Sequence, residues 1–184
     1  MADSSRKMLR NGIKSQLLPA LAERGFEMIP TTGADAASRE LRVYFPFGRH
    51  RRIGANGRFE LVEIQLNKYS ASFRLNVGIV PAGEFVSYWG NVASADAWTD
   101  HLNVHYGIYR WPRFVKWFSL WAQRWRDPRK PAVQGDYEEL ARRVAQLLPE
   151  VDRYFADGVA GKHFRKSDLT PSARDLQRKS ARGG

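Results

Sequence analysis

His101 and His105 stand four residues apart, with Asp100 beside the first. On a helix that spacing sets two imidazoles on one face, where they can share a transition metal. The glutamate of a zinc-protease motif is missing and no third ligand accompanies them, so the pair reads as ordinary polar or packing histidines. Gly161-Lys162 matches the end of a phosphate loop, but Ala156 occupies the first glycine position, His163 replaces the Ser/Thr, and no strand leads in. Gly54-Ala-Asn-Gly57 is a turn before a strand and opens no helix. Serine, histidine and aspartate occur without a Gly-x-Ser-x-Gly elbow, and no two carboxylates pair at a telling spacing. The chain contains no cysteine, which excludes disulfides, thiolate metal sites and cysteine nucleophiles. The reading is therefore no cofactor, no metal and no diagnostic catalytic signature.

The polar residues that remain lie in a stretch of strict alternation. Val62, Ile64 and Leu66 alternate with Glu63 and Gln65; Ala71, Phe73, Leu75, Val77 and Ile79 alternate with Ser72, Arg74 and Asn76. A period of two means two strands, each with one buried and one polar face. With Asn67-Lys-Tyr-Ser70 as the turn, Val62 faces Leu75, Ile64 faces Phe73 and Glu63 faces Arg74. If helices cover only the apolar side, Glu63, Gln65, Arg74 and Asn76 form an open polar surface suited to a partner or ligand. An enzyme site on the same four residues is a further alternative.

Two basic clusters complete the candidates. Arg49, Arg51 and Arg52, with Arg58, read as a loop beside the sheet that can meet phosphates or an acidic partner. Between Tyr106 and Trp125, aromatics interleave with cations, a mixture able to stack bases and neutralise phosphates. A helical wheel puts most of those aromatics on one core-facing stripe. Trp117 falls outside that stripe, flanked by Arg113 and Arg124. The three make a second partner-binding patch, because Trp and Arg are favoured at interface hot spots.

The elements that must position these residues can be read in turn. A first helix starts near Ser4 or Ser5, with Leu9, Ile13, Leu17 and Leu21 as its apolar stripe, a disturbance at Pro19 and a left-handed stop at Gly25. Residues 31–38 read as a loop, Leu41–Phe45 as an extended segment and 48–57 as a second loop. After the hairpin, 84–89 reads as a strand, 93–98 as a short helical turn and 102–108 as a strand. Trp111-Pro112 opens a helix that Asp127-Pro128 stops. Asp136 with Glu139 starts a last long helix through Tyr137, Leu140, Val144 and Leu148, and Pro149 begins a second segment. Strands clustered together with helices at the ends predict an α+β fold. Its antiparallel sheet of about three to five strands carries helices on one face, an N-terminal helix and two or three C-terminal helices.

The formal charge is +11 over 184 residues. Residues 161–184 hold seven Lys/Arg against two Asp, so +5 of that excess belongs to a basic, flexible tail behind a single domain of residues 1–160. A basic body attracts polyanions without specificity. No run of apolar residues is long enough to span a membrane, and the first ten residues lack the apolar core of a signal peptide, so the expected compartment is the cytoplasm.

The N-terminal "LLPALAERGFEMI", the paired strands "FELVEIQLNKYSASFRLNVGIV" and the terminal "EELARRVAQLLPEVDRYF" together resemble small bacterial α+β proteins catalogued as a domain of unknown function. The matching positions are Leu21, Gly25, Phe26, Lys68, Tyr69, Ser70, Phe73, Leu75, Asn76 and Gly78, within residues 8–155. The resemblance implies a fold and no activity. The expected function is a non-catalytic module that binds a macromolecule, above all an acidic protein. Nucleic-acid binding through the Arg49–Arg58 loop, the Trp/Arg-rich helix and the tail is the alternative. The oligomeric state is left open.

Overall fold

The computed structural model describes residues 2–87, 90–102, 104–109, 117–120 and 131–168. The sequence of elements begins with helix α1 (Ala2–Gly12), which widens into a π-helical stretch (Ile13–Leu17) and continues as α2 (Leu18–Ala22). The widening lies just before Pro19, which has no N–H for a regular turn and whose ring crowds the preceding carbonyls. Leu9, Ile13, Leu17 and Leu21 are all buried, and Gly25 takes the left-handed conformation after the helix (φ +78°).

Then come β1 (Glu27–Ile29), two short helices α3 (Gly33–Ala37) and α4 (Arg39–Tyr44), β2 (Arg49–Ile53), β3 (Phe59–Leu66) and β4 (Ser72–Val80). A small separate hairpin follows, β5 (Glu84–Ser87) with β6 (Gly90–Ala93). The chain continues through two 3-10 turns to β7 (Val104–Ile108), β8 (Phe118–Ser119), α5 (Gln134–Ala145), α6 (Leu148–Asp157) and β9 (Phe164–Asp168). Among the described residues the main sheet has seven strands in the order β1-β2-β3-β4-β7-β9, with β8 also paired to β4, and every pairing there is antiparallel. The fold is thus α+β with N-terminal and C-terminal helices, and its sheet is larger than expected.

One face of the sheet carries the main core. Val62, Ile64, Leu66, Phe73, Leu75 and Val77 pack there against the N-terminal helix, α5 and α6. The two long helices cross closely at Gly12, where a Cβ would lie 2.5 Å from the Tyr137 carbonyl oxygen. The other face is covered as well. Residues 94–102 form a strap of two 3-10 turns across it, and Leu61, Val80, Ala97 and Leu102 make a second, smaller core beneath. Gly78 has no side chain because Leu102 fills the space: a Cβ would meet Leu102 Cδ1 at 2.3 Å.

Several expectations need correction. The hairpin keeps its predicted faces, but its register is displaced by two residues: Glu63 opposes Asn76, and Gln65 opposes Arg74. Residues 67–71 all belong to the connection, with Asn67 N–H bonded to Ser72 O, so β4 starts one residue later than the minimal turn allowed. Residues 49–53 are a strand, not a loop. Residues 39–44 are a helix instead of an extended segment, started by the Ser38 hydroxyl, which accepts from Leu41 N–H at 3.3 Å. The helix expected from Trp111 to Asp127 is not formed at residues 117–120, where Phe118 and Ser119 pair with Phe73 and Ser72; residues 111–116 and 121–127 lie outside those described. Order expected to end at Gly161 continues into β9, and residues 169–184 lie outside those described.

Candidate functional site

Seven residues singled out in the sequence, Arg49, Glu63, Gln65, Arg74, Asn76, His105 and Trp117, lie on the strap-covered face. Across the β3–β4 pair, Gln65 Oε1 accepts from Arg74 Nε at 2.6 Å and from Asn76 Nδ2 at 3.1 Å. Because Phe118 stands opposite Phe73 on the core face, the preceding residue, Trp117, falls on the other face beside Arg74. The Arg74 guanidinium lies over the Trp117 ring, 5.2 Å from its centroid. No carboxylate among the described residues is within ion-pair distance of Arg74, and its two terminal nitrogens have no protein partner there. Its guanidinium plane and one edge are held by Trp117 and Gln65, and the fork of its terminal nitrogens meets no partner among the described residues.

Glu63 is the deepest member of the group, 1% exposed. One oxygen accepts from Thr99 N–H at 2.7 Å and the other from the Thr99 hydroxyl at 2.5 Å. Burial pushes its carboxyl up to about 7, against the pull of those two bonds. Arg49, opposite Glu63 in the register, is buried too. It donates to Ala97 O at 3.2 Å and lies 5.1 Å from the Trp98 ring centroid. Burial lowers its guanidinium from the ordinary arginine value, and the charges of Asp35 and Asp96 oppose that shift. Trp98 in turn donates from Nε1 to Asp35 Oδ2 at 2.8 Å, which ties the strap to α3. On β7, His105 is buried on the same face, with Nδ1 unpartnered among the described residues. Burial and then the Arg74 charge lower its imidazole below the usual histidine range.

The open polar surface expected from the hairpin is therefore not open. Glu63 and Asn76 are interred, and only the Gln65–Arg74–Trp117 end is half-buried. The arginine cluster is also redirected inward. Arg51 donates to Ala95 O at 3.1 Å and stacks on Phe59. Arg52 bonds Glu60 at 2.6 Å, Arg24 O at 2.9 Å and Asp152 at 2.9 Å. Arg58 donates to Phe155 O. These four side chains fasten the strap and the helices to the sheet. Arg113 and Arg124 lie outside the described residues. His101 and His105 do not share a helix: His101 sits in a 3-10 turn, where its Nδ1 accepts from Trp98 N–H, and His105 is in β7. Thr99 and Trp98 escaped the sequence reading, because a 3-10 strap of mixed polar residues has no periodicity to mark it, and Asp35 escaped because residues 31–38 read as a loop although 33–37 form α3.

A cleft of about 390 Å³ lies elsewhere, between Phe118, the end of α5 and His163. Beside it, Glu150 accepts from His163 N–H at 3.0 Å and contacts the His163 ring at 2.6 Å. None of the residues selected from the sequence lines that cleft. Comparison with protein-family models, with curated proteins and with solved structures gives no match.

Proposed function

We propose that the protein is a non-catalytic binding module whose Arg74–Trp117 platform takes an acidic side chain of a protein partner. The observation that carries this reading is the state of Arg74. Its Nε is used by Gln65, its face rests on Trp117, and its terminal nitrogens meet no described carboxylate. A guanidinium held in one orientation presents a ready fork for two parallel bonds to a carboxylate. Having its rotamer already fixed, it loses less entropy on binding than a free surface arginine. The aromatic neighbour shields the pair from water, the setting in which Trp and Arg become hot spots.

Nucleic acid, the alternative partner, has less support. Arg49, Arg51, Arg52 and Arg58 are engaged within the protein, and Arg113 and Arg124 lie outside the described residues. The compartment we assign is the cytoplasm, on the cysteine-free composition; no helix among the described residues is long and apolar enough to cross a membrane.

The test is capture of partners from the native cell after nuclease treatment, followed by measured affinity for the captured protein. Arg74→Ala and Trp117→Ala should each weaken binding by about 2 kcal/mol or more. Arg74→Lys should not restore it, because an ammonium cannot form the two-pronged bond. Undiminished affinity in both alanine variants would discard the platform.

A further inference from the structure

The cleft between β8, the end of α5 and the start of β9 has a prepared hydrogen-bonding group in its wall. His163 is held at three points. Its amide donates to Glu150 Oε1 at 3.0 Å, its carbonyl accepts from Tyr109 N–H at 2.8 Å, and its ring Nδ1 lies 2.6 Å from Glu150 Oε2. The carboxylate reaches this place because residue 161 is glycine: a Cβ there would overlap Glu150 Oε1. Burial raises the Glu150 carboxyl, but the bonds from His163 outweigh burial and leave it below the ordinary carboxylate range. An ionised carboxylate only accepts, so Nδ1 carries the proton of this pair. The neutral ring then keeps its lone pair at Nε2, an acceptor with no partner among the described residues. With Nδ1 spent on Glu150, Nε2 is the polar ring atom left to the cleft.

The rest of the lining narrows the choice of ligand. A volume of about 390 Å³ has room for a molecule of one or two rings. Phe118 and Val144 are buried beneath the cleft and Leu147 is half-buried at its side, which gives it an apolar floor. Glu139 and Arg143 also line it, but they are bonded to each other, so their charges offset. An anion gains nothing from that wall, and the Glu150 charge behind the imidazole disfavours one. A flat, neutral, apolar body with a single proton to donate matches both the floor and the acceptor.

The geometry points to a second binding site in this cleft, for a small phenol-class compound whose ring rests on Phe118, Val144 and Leu147 and whose hydroxyl donates to His163 Nε2. Glu150 is a positioning residue here: it orients the imidazole and fixes its tautomer. The site lies on the helix-covered side of the sheet, while Arg74 and Trp117 lie on the strap side, so it stands apart from the reading of Arg74. A ligand lacking the hydroxyl is penalised, because it covers Nε2 without bonding it.

Titration of the full-length protein with para-ethylphenol, following the His163 ring nitrogens and the Leu147 methyls by NMR, tests the site. Both sets of signals should move together and saturate. Para-fluoroethylbenzene, which keeps the outline and has no proton to donate, should bind at least about tenfold more weakly. His163→Phe should remove that preference. Leu147→Trp, which fills the cleft and leaves the Glu150–His163 pair in place, should abolish binding of both probes. Equal affinity of the two probes for the wild type, saturation without movement at His163 and Leu147, or no saturation at all would overturn the proposal. So would a preference that survives in His163→Phe, or binding that survives in Leu147→Trp. The comparison of the two probes in the wild type decides the matter even where a variant fails to fold.

Discussion

Glu63 and His50 show how two adjacent strands handle ionisable groups that must be buried. They stand on β3 and β2 with side chains on opposite faces: His50 pairs with Val62 on the helix side, and Glu63 pairs with Arg49 on the strap side. Burial lowers the His50 imidazole to about 4, offset in part by a backbone hydrogen bond at Val62, and raises the Glu63 carboxyl to about 7. Each is therefore neutral in the folded protein between those values, and their effects on stability are opposite. The unfolded chain protonates His50 below 6.5, so this residue makes folding stability fall as pH falls from 6.5 toward 4. The unfolded chain deprotonates Glu63 above 4.5, so this residue makes stability fall as pH rises from 4.5 toward 7. In the wild type the two slopes oppose each other over their shared window. Removing either should reveal the other, with a limit of about 1.4 kcal/mol per pH unit. Urea unfolding at pH 5.0 and 6.5 checks this. Relative to wild type, Glu63→Gln should gain stability toward pH 6.5 and His50→Leu should gain it toward pH 5.0. Parallel curves for both variants would show that neither group is held neutral.

Elements were legible where an apolar period repeats and hidden where polar side chains bond to backbone. The α1–α2 stripe, both faces of the β3–β4 hairpin and the α5 face rest on many repeated apolar positions, and each packs as its period requires. Within the site, the shared face of Glu63, Gln65, Arg74 and Asn76 could be read because alternation alone decides it. Their partners could not, because six residues separate the paired Leu66 and Phe73, two more than the four-residue turn allows, and this moved the register by two. Strand β2 was obscured by Arg49-His50-Arg51-Arg52, which looks like a solvated loop until Ala95 O, Ala97 O, Arg24 O and the β3 carboxylate Glu60 are there to receive the cations. In α4, Leu41, Val43 and Phe45 alternate as in a strand, but the Ser38 cap favours a helix. Two element junctions offer tests. At the crossing of α1 and α5, Gly12→Ala puts a methyl against the Tyr137 carbonyl, where backbone must move; a loss of about 1–3 kcal/mol is expected in thermal unfolding. At the start of β9, Glu150 receives both the amide and the ring of His163. Burial raises its carboxyl, but these bonds outweigh burial and leave it below the ordinary 4.5. Stability from this group is complete above that value and disappears as pH falls through the lower folded-state value. In wild type the β7–β9 amides should therefore lose protection on acidification below that point, whereas Glu150→Gln should show weak protection already at neutral pH.

At the scale of the whole molecule, the cations divide into those that build the fold and those available to a polyanion. A formal charge of +11 would suggest a nucleic-acid binder if every cation faced solvent. Arg49, Arg51, Arg52 and Arg58 are each bonded to a backbone carbonyl of another segment, a fold-building use of these cations. Residues 169–184 contain four basic side chains and one acidic, so cutting them away lowers the formal charge from +11 to +8. Attraction to duplex DNA should accordingly be non-specific, equal for unrelated sequences and linear in the logarithm of salt, with a slope that counts neutralised phosphates at about 0.9 each. Truncation after residue 168 should flatten that slope. Arg51→Gln removes one positive charge from β2, but its Nη1 is committed to Ala95 O and its plane to Phe59, so the slope should not move, while stability drops as the strap loses a tie. Fluorescence anisotropy over a salt series, with urea unfolding of the same samples, separates the two effects. A slope reduced by about one in Arg51→Gln would put β2 on the phosphate backbone. That outcome would return the arginine cluster from fold-building to recognition and make nucleic acid the better partner.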